Sequence, residues 1–225
     1  LSLRKIRSKM FNESILSAYK QSCIDYYNHM HDIYFDKYHK DLENKIYDKE
    51  FLLHFVNQLP VKSKILDIGC GSAAQQARFF RDMRHQVTAI DVSEKCIETA
   101  KQKFTGIQFQ QMDMLDMHFE SHTFDAINAF YSFIHIPKEY SHTLFSLCNR
   151  ILRPNGLIAI AVYADDFYGY YDKNEIPVFY RSYSQTELTT LLVGHGFEII
   201  HMDERQAIYD FEFQCERIYV VAKKQ

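Results

Sequence analysis

The residues best suited to bind a ligand stand where short apolar runs end. Gly69 and Gly71 directly follow the run Lys64–Ile68, in a chain that contains only seven glycines. Glycine at such a turn allows a tight bend and a close approach of the backbone to a ligand. The next apolar run ends in Asp91, where a carboxylate can accept hydrogen bonds from both hydroxyls of a ribose. These positions together predict a nucleoside pocket.

The spacing of the glycines indicates which kind of nucleoside this pocket would take. A dinucleotide site uses a third glycine to seat the pyrophosphate at a helix N-terminus, and Ala74 stands at that position. Asp67 precedes Gly69 by two residues, and its charge would repel a pyrophosphate but suit a cation. The pattern therefore favours a cationic nucleoside.

Alternating strands and helices are expected to position these residues. The expected strands are the apolar runs 64–68, 86–90, 107–112, 124–130, 157–163, 197–202 and 218–222, and helical patterns lie between most of them, at 73–83, 94–104, 140–152 and 185–193. Ser184 and Glu187 form a capping box at the start of the last helix. This alternation predicts a doubly wound α/β sheet with helices on both faces. The link between the last two runs has no clear helical stripe, which favours a final antiparallel strand.

A helical region precedes this core. Residues 12–58 contain no glycine or proline and keep apolar residues at helical spacing, so they are expected to form helices. Pro60 ends that pattern. The chain therefore divides into an arm and helical cover at 1–59, with the basic residues 1–9 left out of the fold, and a core at 60–225.

Composition excludes several classes of protein. Lys and Arg number 26 against 29 Asp and Glu, a net charge of −3, which gives no large basic surface for a nucleic acid. The apolar runs are too short to span a bilayer. Five cysteines, an odd number without a C-x-x-C pair, argue against a disulfide framework and a zinc site. We therefore expect a cytoplasmic protein that needs no metal and has no nucleic-acid or membrane partner.

Several segments resemble motifs of the class I S-adenosylmethionine-dependent methyltransferases, especially the small-molecule group with a helical N-terminal cover. They are 67–71 (Asp-Ile-Gly-Cys-Gly), 90–93, 112–114, 124–137, 152–157 and 196–198. The likeness spans about residues 60–222. It implies S-adenosylmethionine as the cofactor and a Rossmann-like α/β fold, whose seven-stranded, mostly parallel sheet has the order 3-2-1-4-5-7-6 and an antiparallel last strand.

The resemblance also implies a set of cofactor-binding residues. Asp67, Gly69 and Gly71 would hold the methionine end of the cofactor. Asp91 would bind the ribose, and Asp113 the adenine amino group. Two tyrosines of the cover would lie over the donor, unless they only pack in the core. The complete set is Asp67, Gly69, Cys70, Gly71, Asp91, Val92, Asp113, Met114, Phe130, Tyr27 and Tyr34.

Methyl transfer is an in-line displacement at a sulfonium methyl, so the protein must mainly align the reactants and exclude water. A base is optional in such a reaction. His135 follows the fourth strand, and its imidazole can take a hydroxyl proton near neutral pH. His135 is therefore the candidate catalytic residue, with a structural role at a helix start as the alternative.

An aromatic segment at about 163–183 leaves the fifth strand at the ligand edge and carries six Tyr and two Phe. Connections of this length are unusual unless they have a function. We therefore expect a lid over the substrate, and a surface insertion is the alternative. The candidate substrate-binding residues are Tyr131, Tyr168 and Tyr180, with Asp165 and Asp166 as further polar contacts.

The sequence therefore predicts an S-adenosylmethionine-dependent methyltransferase that acts on a small-molecule acceptor. One alternative is a nicotinamide-dependent oxidoreductase, but the third glycine is missing and the only Tyr-x-x-x-Lys pair, Tyr219 with Lys223, falls on an expected strand. The other alternative is a protein that binds the donor without transferring its methyl group. The acceptor atom (O, N, S or C) and the oligomeric state stay open.

Overall fold

The computed structural model describes the backbone of residues 3–173, 175–209 and 214–225, and the side chains of 16–172, 175–209 and 214–225. The helices in these ranges are α1 (Leu3–Tyr38), α2 (Asp41–Asn44), α3 (Ile46–Val56), α4 (Gln75–Asp82), α5 (Glu94–Lys103), α6 (Ser141–Ile151) and α7 (Gln185–Gly194). The strands are β1 (Lys64–Ile68), β2 (Gln86–Asp91), β3 (Gln108–Gln111), β4 (Phe124–Phe130), β5 (Leu152–Tyr163), β6 (Tyr168–Lys173), β7 (Ile176–Arg181), β8 (Phe197–Arg205) and β9 (Arg217–Lys224).

Seven strands form one sheet of order β3-β2-β1-β4-β5-β9-β8. β1 pairs in parallel with β2 and β4, and β2 with β3 and β4 with β5 do the same, whereas β9 runs antiparallel to β5 and β8. The predicted strand order and the antiparallel last strand are confirmed. The parallel strands therefore end at one edge, where the loops after β1, β2, β3 and β4 meet.

Both faces of the sheet are covered, as the alternation of strands and helices predicts. Ile65 and Leu66 are neighbours on β1 and fully buried, but they belong to different apolar clusters because successive side chains of a strand point to opposite faces. The Ile65 cluster contains apolar residues of α3, α4 and α5, and the Leu66 cluster contains those of α6 and α7. Burial on both sides explains why the central strands are nearly continuous apolar runs.

The predicted helical cover is formed by α1, α2 and α3. α1 begins at Leu3, so it includes most of the residues that the sequence treats as a basic arm, and residues 1 and 2 lie outside the described residues. Tyr26 and Met30 of α1 pack with Val178 of β7 in a small apolar cluster. The cover is therefore held against the segment that the sequence predicts to be a lid.

The predicted lid contains two strands that the sequence pattern did not indicate. β6 and β7 pair antiparallel, from Tyr168 opposite Arg181 to Lys173 opposite Ile176, and form a separate two-stranded sheet. The ring of Phe179 on β7 lies 4.6 Å from the ring of Tyr19 on α1. This hairpin is therefore packed against the cover helix.

Candidate active site at the carboxyl edge of the sheet

A cavity of about 900 Å³ lies where the parallel strands end. Its wall is built from α1, from the loops after β1 to β5, and from the hairpin. Most of the predicted site residues line it. They are Tyr27, Tyr34, Gly69, Cys70, Gly71, Asp91, Val92, Asp113, Met114, Phe130, Tyr131, His135 and Tyr180, together with Asp165 and Asp166. Asp67 and Tyr168 are not among the lining residues.

The two glycines of the first loop are required for different reasons. Both have positive φ, +75° at Gly69 and +60° at Gly71, which favours glycine. A Cβ at Gly69 would lie 2.4 Å from the Cβ of Ser132, whereas a Cβ at Gly71 would meet nothing within 4 Å. Gly69 therefore allows two loops to pack together. Gly71 leaves open space beside the cavity.

Asp91 is held at the end of β2 by two backbone donors. Its Oδ2 accepts a hydrogen bond from the Gly71 N–H at 2.9 Å, and its Oδ1 accepts one from the Ser93 N–H at 2.9 Å. Burial raises the pKa of this carboxyl, and the backbone hydrogen bonds oppose that rise. Each oxygen keeps a second lone pair for another donor. The carboxylate is therefore fixed in place and still able to accept hydrogen bonds from a ligand.

Asp113 follows β3 and is engaged from two sides. Its Oδ1 accepts a hydrogen bond from the Leu115 N–H at 2.9 Å. Its Oδ2 lies 3.0 Å from the Nζ of Lys20 on α1. The cover helix therefore reaches the far end of the cavity through an ion pair.

Asp67 was expected to contact the cofactor, and its position does not agree with that role. It is buried on β1, and its Oδ1 accepts a hydrogen bond from the Asn128 amide at 2.7 Å. Its Oδ2 has no hydrogen-bond partner among the described residues. Burial raises the pKa of Asp67 to about 7. Asp67 lies inside strand β1, so its side chain is buried in the interior beside the glycine loop and does not line the cavity.

His135 has a partner at each ring nitrogen. Its Nδ1 lies 2.8 Å from the Phe179 carbonyl oxygen, and its Nε2 lies 2.8 Å from the Tyr27 hydroxyl. A carbonyl can only accept, so Nδ1 carries a proton, and in the neutral ring Nε2 accepts the hydrogen bond that Tyr27 donates. The Tyr180 ring lies 4.6 Å from the imidazole. His135 therefore lines the cavity and is held between the hairpin backbone and the Tyr27 hydroxyl.

The β4 and β9 side of the cavity contains a network of hydrogen-bonded side chains. Tyr131 has a φ of +53°, and its N–H donates to the Ala161 carbonyl at 2.8 Å. Its hydroxyl lies 2.6 Å from that of Tyr219, which in turn donates to Asp48 Oδ1 at 2.6 Å. Arg205 donates to both of these last two residues. A buried carboxylate is thereby connected to the cavity by two tyrosines.

The sequence analysis missed four residues of this site: Asp48, Ser132, Arg205 and Tyr219. Asp48 offered a signal, because it shares a helical face with Phe51, Leu52 and Phe55, and a charge on an apolar face is costly unless it is paired. The others had none. Tyr219 and Asp48 are 171 residues apart in sequence, and only the folded chain brings them together.

Some features that other functions require are absent from the described ranges. No group of three or more His, Cys, Asp or Glu could hold a metal ion there. None of the described helices is both long enough and apolar enough to cross a membrane. All five cysteines are buried, and none forms a disulfide.

A comparison with protein families identifies the core. Residues 65–156, which run from β1 into β5, match the family model of the methyltransferase domain. These residues are a methyltransferase domain. The resemblance carried by the glycine loop and the strand-end motifs is thereby confirmed.

Curated proteins that are similar to this domain are methyltransferases by name. A demethylmenaquinone methyltransferase from Bacillus cereus is 29% identical over 103 residues, which is 43% of this chain and 43% of that protein. An O-methyltransferase from Penicillium expansum is 27% identical over 154 residues, which is 62% of this chain and 54% of that protein. The chain thus spans about half the length of these relatives.

A solved structure resembles the whole chain, the cover included. The 1,6-didemethyltoxoflavin-N1-methyltransferase of Burkholderia thailandensis, with 1,6-didemethyltoxoflavin and S-adenosylhomocysteine bound, has a TM-score of 0.66. The match covers 100% of this chain and 92% of that one at 16% identity. At this identity the likeness concerns the fold. The fold that the two proteins share therefore includes α1 and the hairpin, which lie outside residues 65–156.

Proposed function

We propose that this protein transfers a methyl group from S-adenosylmethionine to a small-molecule acceptor. The observation that carries the proposal is the continuity of one cavity, from the carboxylates after β2 and β3 to the aromatic residues of α1, β4 and the hairpin. A nucleoside and a second molecule can lie in it side by side. The relatives of the domain, which are methyltransferases by name, support the same reaction.

The described residues fit such a donor. Asp91 is positioned to accept hydrogen bonds from the ribose hydroxyls, since each of its oxygens has a lone pair left. The open space at Gly71 allows the backbone to approach a ligand. The Ser132 Oγ is buried beside the glycine loop and has no hydrogen-bond partner among the described residues. It can serve the polar methionine end of the donor.

The remaining donor contacts belong to the same proposal. Asp113 and the Met114 N–H would hold the adenine, and Lys20 then shares the Asp113 carboxylate with it. Asp67 would act through Asn128 and the glycine loop without touching the donor. The residues that complete the donor pocket are Gly69, Cys70, Val92 and Phe130 on the strand-end loops, with Tyr27 and Tyr34 above it on α1.

The donor supplies an activated methyl group, and the chain's own residues align it and keep water out. His135 takes part through Tyr27, because its Nε2 accepts the Tyr27 proton in a hydrogen bond. The Tyr27 hydroxyl, which also interacts with Tyr180, lies at the same cavity. On the acceptor side, the lining residues Tyr131 and Tyr180 would pack against an aromatic molecule. Tyr168 lies outside the cavity and would steady the hairpin through Glu139.

Two further observations support this proposal against its alternatives. Tyr219 and Lys223 lie on strand β9, so they do not form the helical pair of a nicotinamide-dependent oxidoreductase. A cytoplasmic location and the exclusion of nucleic acid belong to the proposal. Cysteines that form no disulfide favour the first, and the net charge of −3 favours the second.

Calorimetry tests the donor assignment directly. We expect S-adenosylmethionine and S-adenosylhomocysteine to bind with one site per chain, and NAD and NADH to give no heat of binding. Binding of the nicotinamide cofactors alone would overturn the proposal. Donor binding is then followed by transfer of a radiolabelled methyl group to a panel of aromatic O–H and N–H compounds. Donor binding without transfer to any of them would favour a non-catalytic donor-binding protein.

A further inference from the structure

The β4 and β9 side of the cavity ends in a chain of hydroxyls that leads to a carboxylate. Tyr131 and Asp48 line the cavity, and Tyr219 joins them with two hydrogen bonds of 2.6 Å each. Asp48 is 2% exposed, and Tyr219 is fully buried. The methyltransferase domain at 65–156 contains only Tyr131 of these three. The other two members of this hydrogen-bonded series, Asp48 on α3 and Tyr219 on β9, therefore come from outside the residues that match the family model.

The hydrogen bonds that join Tyr131, Tyr219 and Asp48 all run in one direction, from donor to acceptor. Tyr219 donates to the carboxylate of Asp48, so its only proton points away from Tyr131. Tyr131 must then donate its own proton to the Tyr219 oxygen, because the two hydroxyls share one hydrogen bond. The hydroxyl proton of Tyr131 is thus committed to the interior. Its oxygen lone pairs remain for a molecule in the cavity.

The surroundings keep Asp48 able to take up a proton. Burial raises the pKa of Asp48, while Lys45, Tyr219 and Arg205 act in the opposite direction and do not cancel the rise. Arg205 donates to Asp48 Oδ1 at 3.2 Å and to the Tyr219 hydroxyl at 2.9 Å, which fixes the geometry of both. The titratable and charged groups that face the three residues are Lys45, Tyr47, Tyr163, Arg205 and Arg217.

We propose that Tyr131, Tyr219 and Asp48 form a proton-accepting chain that selects a neutral aromatic or heteroaromatic acceptor with an O–H or N–H group. This inference rests on the proposed methyl transfer. Tyr131 touches the acceptor, and Tyr219 and Asp48 act through it. A molecule that donates a hydrogen bond suits the Tyr131 oxygen, whereas an anion would meet its lone pairs and the charge of Asp48. Tyr131 is thereby a second candidate proton acceptor in the cavity, in addition to His135.

The proton and electron balance of the step is simple. The acceptor's O or N forms a bond to the methyl carbon of the sulfonium donor, and the electron pair of the broken C–S bond stays on sulfur. The acceptor, now positively charged, becomes a much stronger acid and gives its proton to the Tyr131 oxygen. Tyr131 passes its proton to Tyr219, and Tyr219 passes its proton to Asp48. The products are a methylated neutral acceptor, a neutral thioether and a neutral Asp48 carboxyl.

The test uses 4-nitrophenol, because its ionised form absorbs at a longer wavelength than its neutral form. The probe is titrated over pH in protein saturated with S-adenosylhomocysteine. We expect the wild type to bind the neutral form, so that the pKa of the bound probe lies about one pH unit above the pKa of the free probe. Tyr219→Phe should abolish this rise, since it removes the acceptor of the Tyr131 hydroxyl, which can then turn toward the cavity. Asp48→Asn should abolish it too, since it removes the negative charge at the end of the chain.

Tyr168→Phe is the matched control, because it removes a tyrosine hydroxyl that lies outside the cavity. It should keep the raised pKa of the bound probe. Tyr219→Phe keeps the Asp48–Arg205 ion pair and preserves the test if Asp48→Asn does not fold. An unchanged rise in both Asp48→Asn and Tyr219→Phe, or in the folded one of the two, overturns the inference. Three other results would also overturn it. The rise in the pKa of the bound probe could be abolished only by Tyr27→Phe, the wild type could prefer the phenolate, or the probe could fail to bind.

Calorimetry with S-adenosylhomocysteine separates this inference from the proposed function. If the wild type fails to bind S-adenosylhomocysteine, the proposed function fails and the proton chain falls with it. If the wild type and both variants bind S-adenosylhomocysteine within about threefold of each other, and the wild type shows no rise in the pKa of the bound probe or both variants keep it, only the proton chain is wrong.

Discussion

The two ends of the cavity are built in different ways. At the β2 and β3 end, backbone groups and one carboxylate per strand face the cavity, and Gly69, Asp91 and Asp113 come from one short stretch of chain. At the β4 and β9 end, side chains from α3, β4, β8 and β9 meet. A donor that many proteins share can be held by the edge of a common fold. An acceptor that differs among proteins must be held by residues that the fold does not fix.

Each end also contains a buried carboxyl, and the partners of the two differ. Asp67 is hydrogen-bonded to the neutral amide of Asn128. Asp48 has a guanidinium and a phenol as partners. A buried acid without a nearby cation favours its neutral form, so Asp67 should titrate near neutral pH while the fold still tolerates Asp48 as an anion.

We expect the largest effect for Asp67→Asn, which should change how the free energy of unfolding depends on pH. Burial raises the pKa of Asp67 from 3.8 to about 7 in the folded protein, so the folded state binds this proton more tightly than the unfolded state. Stability is therefore lost as pH rises from about 4 to 7, by up to about 4 kcal/mol from this group. The asparagine variant should lack this loss. Urea unfolding at pH 4, 6 and 8 measures the free energy of unfolding of both proteins. The same dependence on pH in the wild type and the variant would contradict this prediction.

Gly71→Val should reduce donor affinity by more than about a hundredfold. The side chain would occupy the open space that a donor needs, and the positive φ adds strain. Gly194→Val is the control, because a Cβ there also meets nothing within 4 Å but lies at the end of α7. Calorimetry with S-adenosylhomocysteine compares them. Normal binding by a folded Gly71→Val protein would show that the turn only shapes the chain.

Asp91→Ala should weaken donor binding by about ten- to a hundredfold, the range for hydrogen bonds to a charged group. Asp48→Asn removes a carboxylate at the other end of the cavity, and its donor affinity should stay within about threefold of the wild type. Circular dichroism checks that both variants are folded. Equal losses in the two would remove the distinction between donor and acceptor ends.

The smallest effect is expected in the hairpin. Tyr180 lines the cavity and packs on His135, whereas Tyr168 is 44% exposed and hydrogen-bonded to Glu139. Tyr180→Ala should raise the acceptor KM or lower turnover several-fold, with donor affinity unchanged. Tyr168→Ala should leave both close to the wild type. A tenfold loss of donor affinity in Tyr180→Ala would assign the hairpin to the donor site.

The sequence predicted the sheet and the meeting of its strand-end loops well because both depend on local rules. Apolar runs predict strands, and residues directly after parallel strands must meet at one edge, so Gly71 and Asp91 could be placed without a structure. This rule does not extend to Asp67, whose expected cofactor contact came from the family resemblance, since Asp67 lies inside β1 and its side chain is buried. Position near a motif is therefore weaker support than position after a strand end.

The acceptor end and the hairpin were harder to predict for different reasons. Tyr219 reaches Asp48 only through the antiparallel pairing of β9 with β5 and β8, a tertiary contact that no spacing reports. β6 and β7 were missed because tyrosines occupy both faces of a two-stranded ribbon, which hides the alternation of apolar and polar residues that marks a strand. Strands of this kind can be identified from their pairing in the structure, but not from the residue pattern of either strand alone.

The cover helix is attached to the loops that surround the proposed donor pocket. Ser72 donates to the His31 carbonyl, Ser93 donates to the Asn28 side chain, and Lys20 pairs with Asp113. A ligand that orders those loops must also order α1, and by linkage the backbone amides of the helix should then exchange their hydrogens more slowly. Deuterium uptake along α1 is therefore a gauge of occupancy that needs neither a chromophore nor turnover.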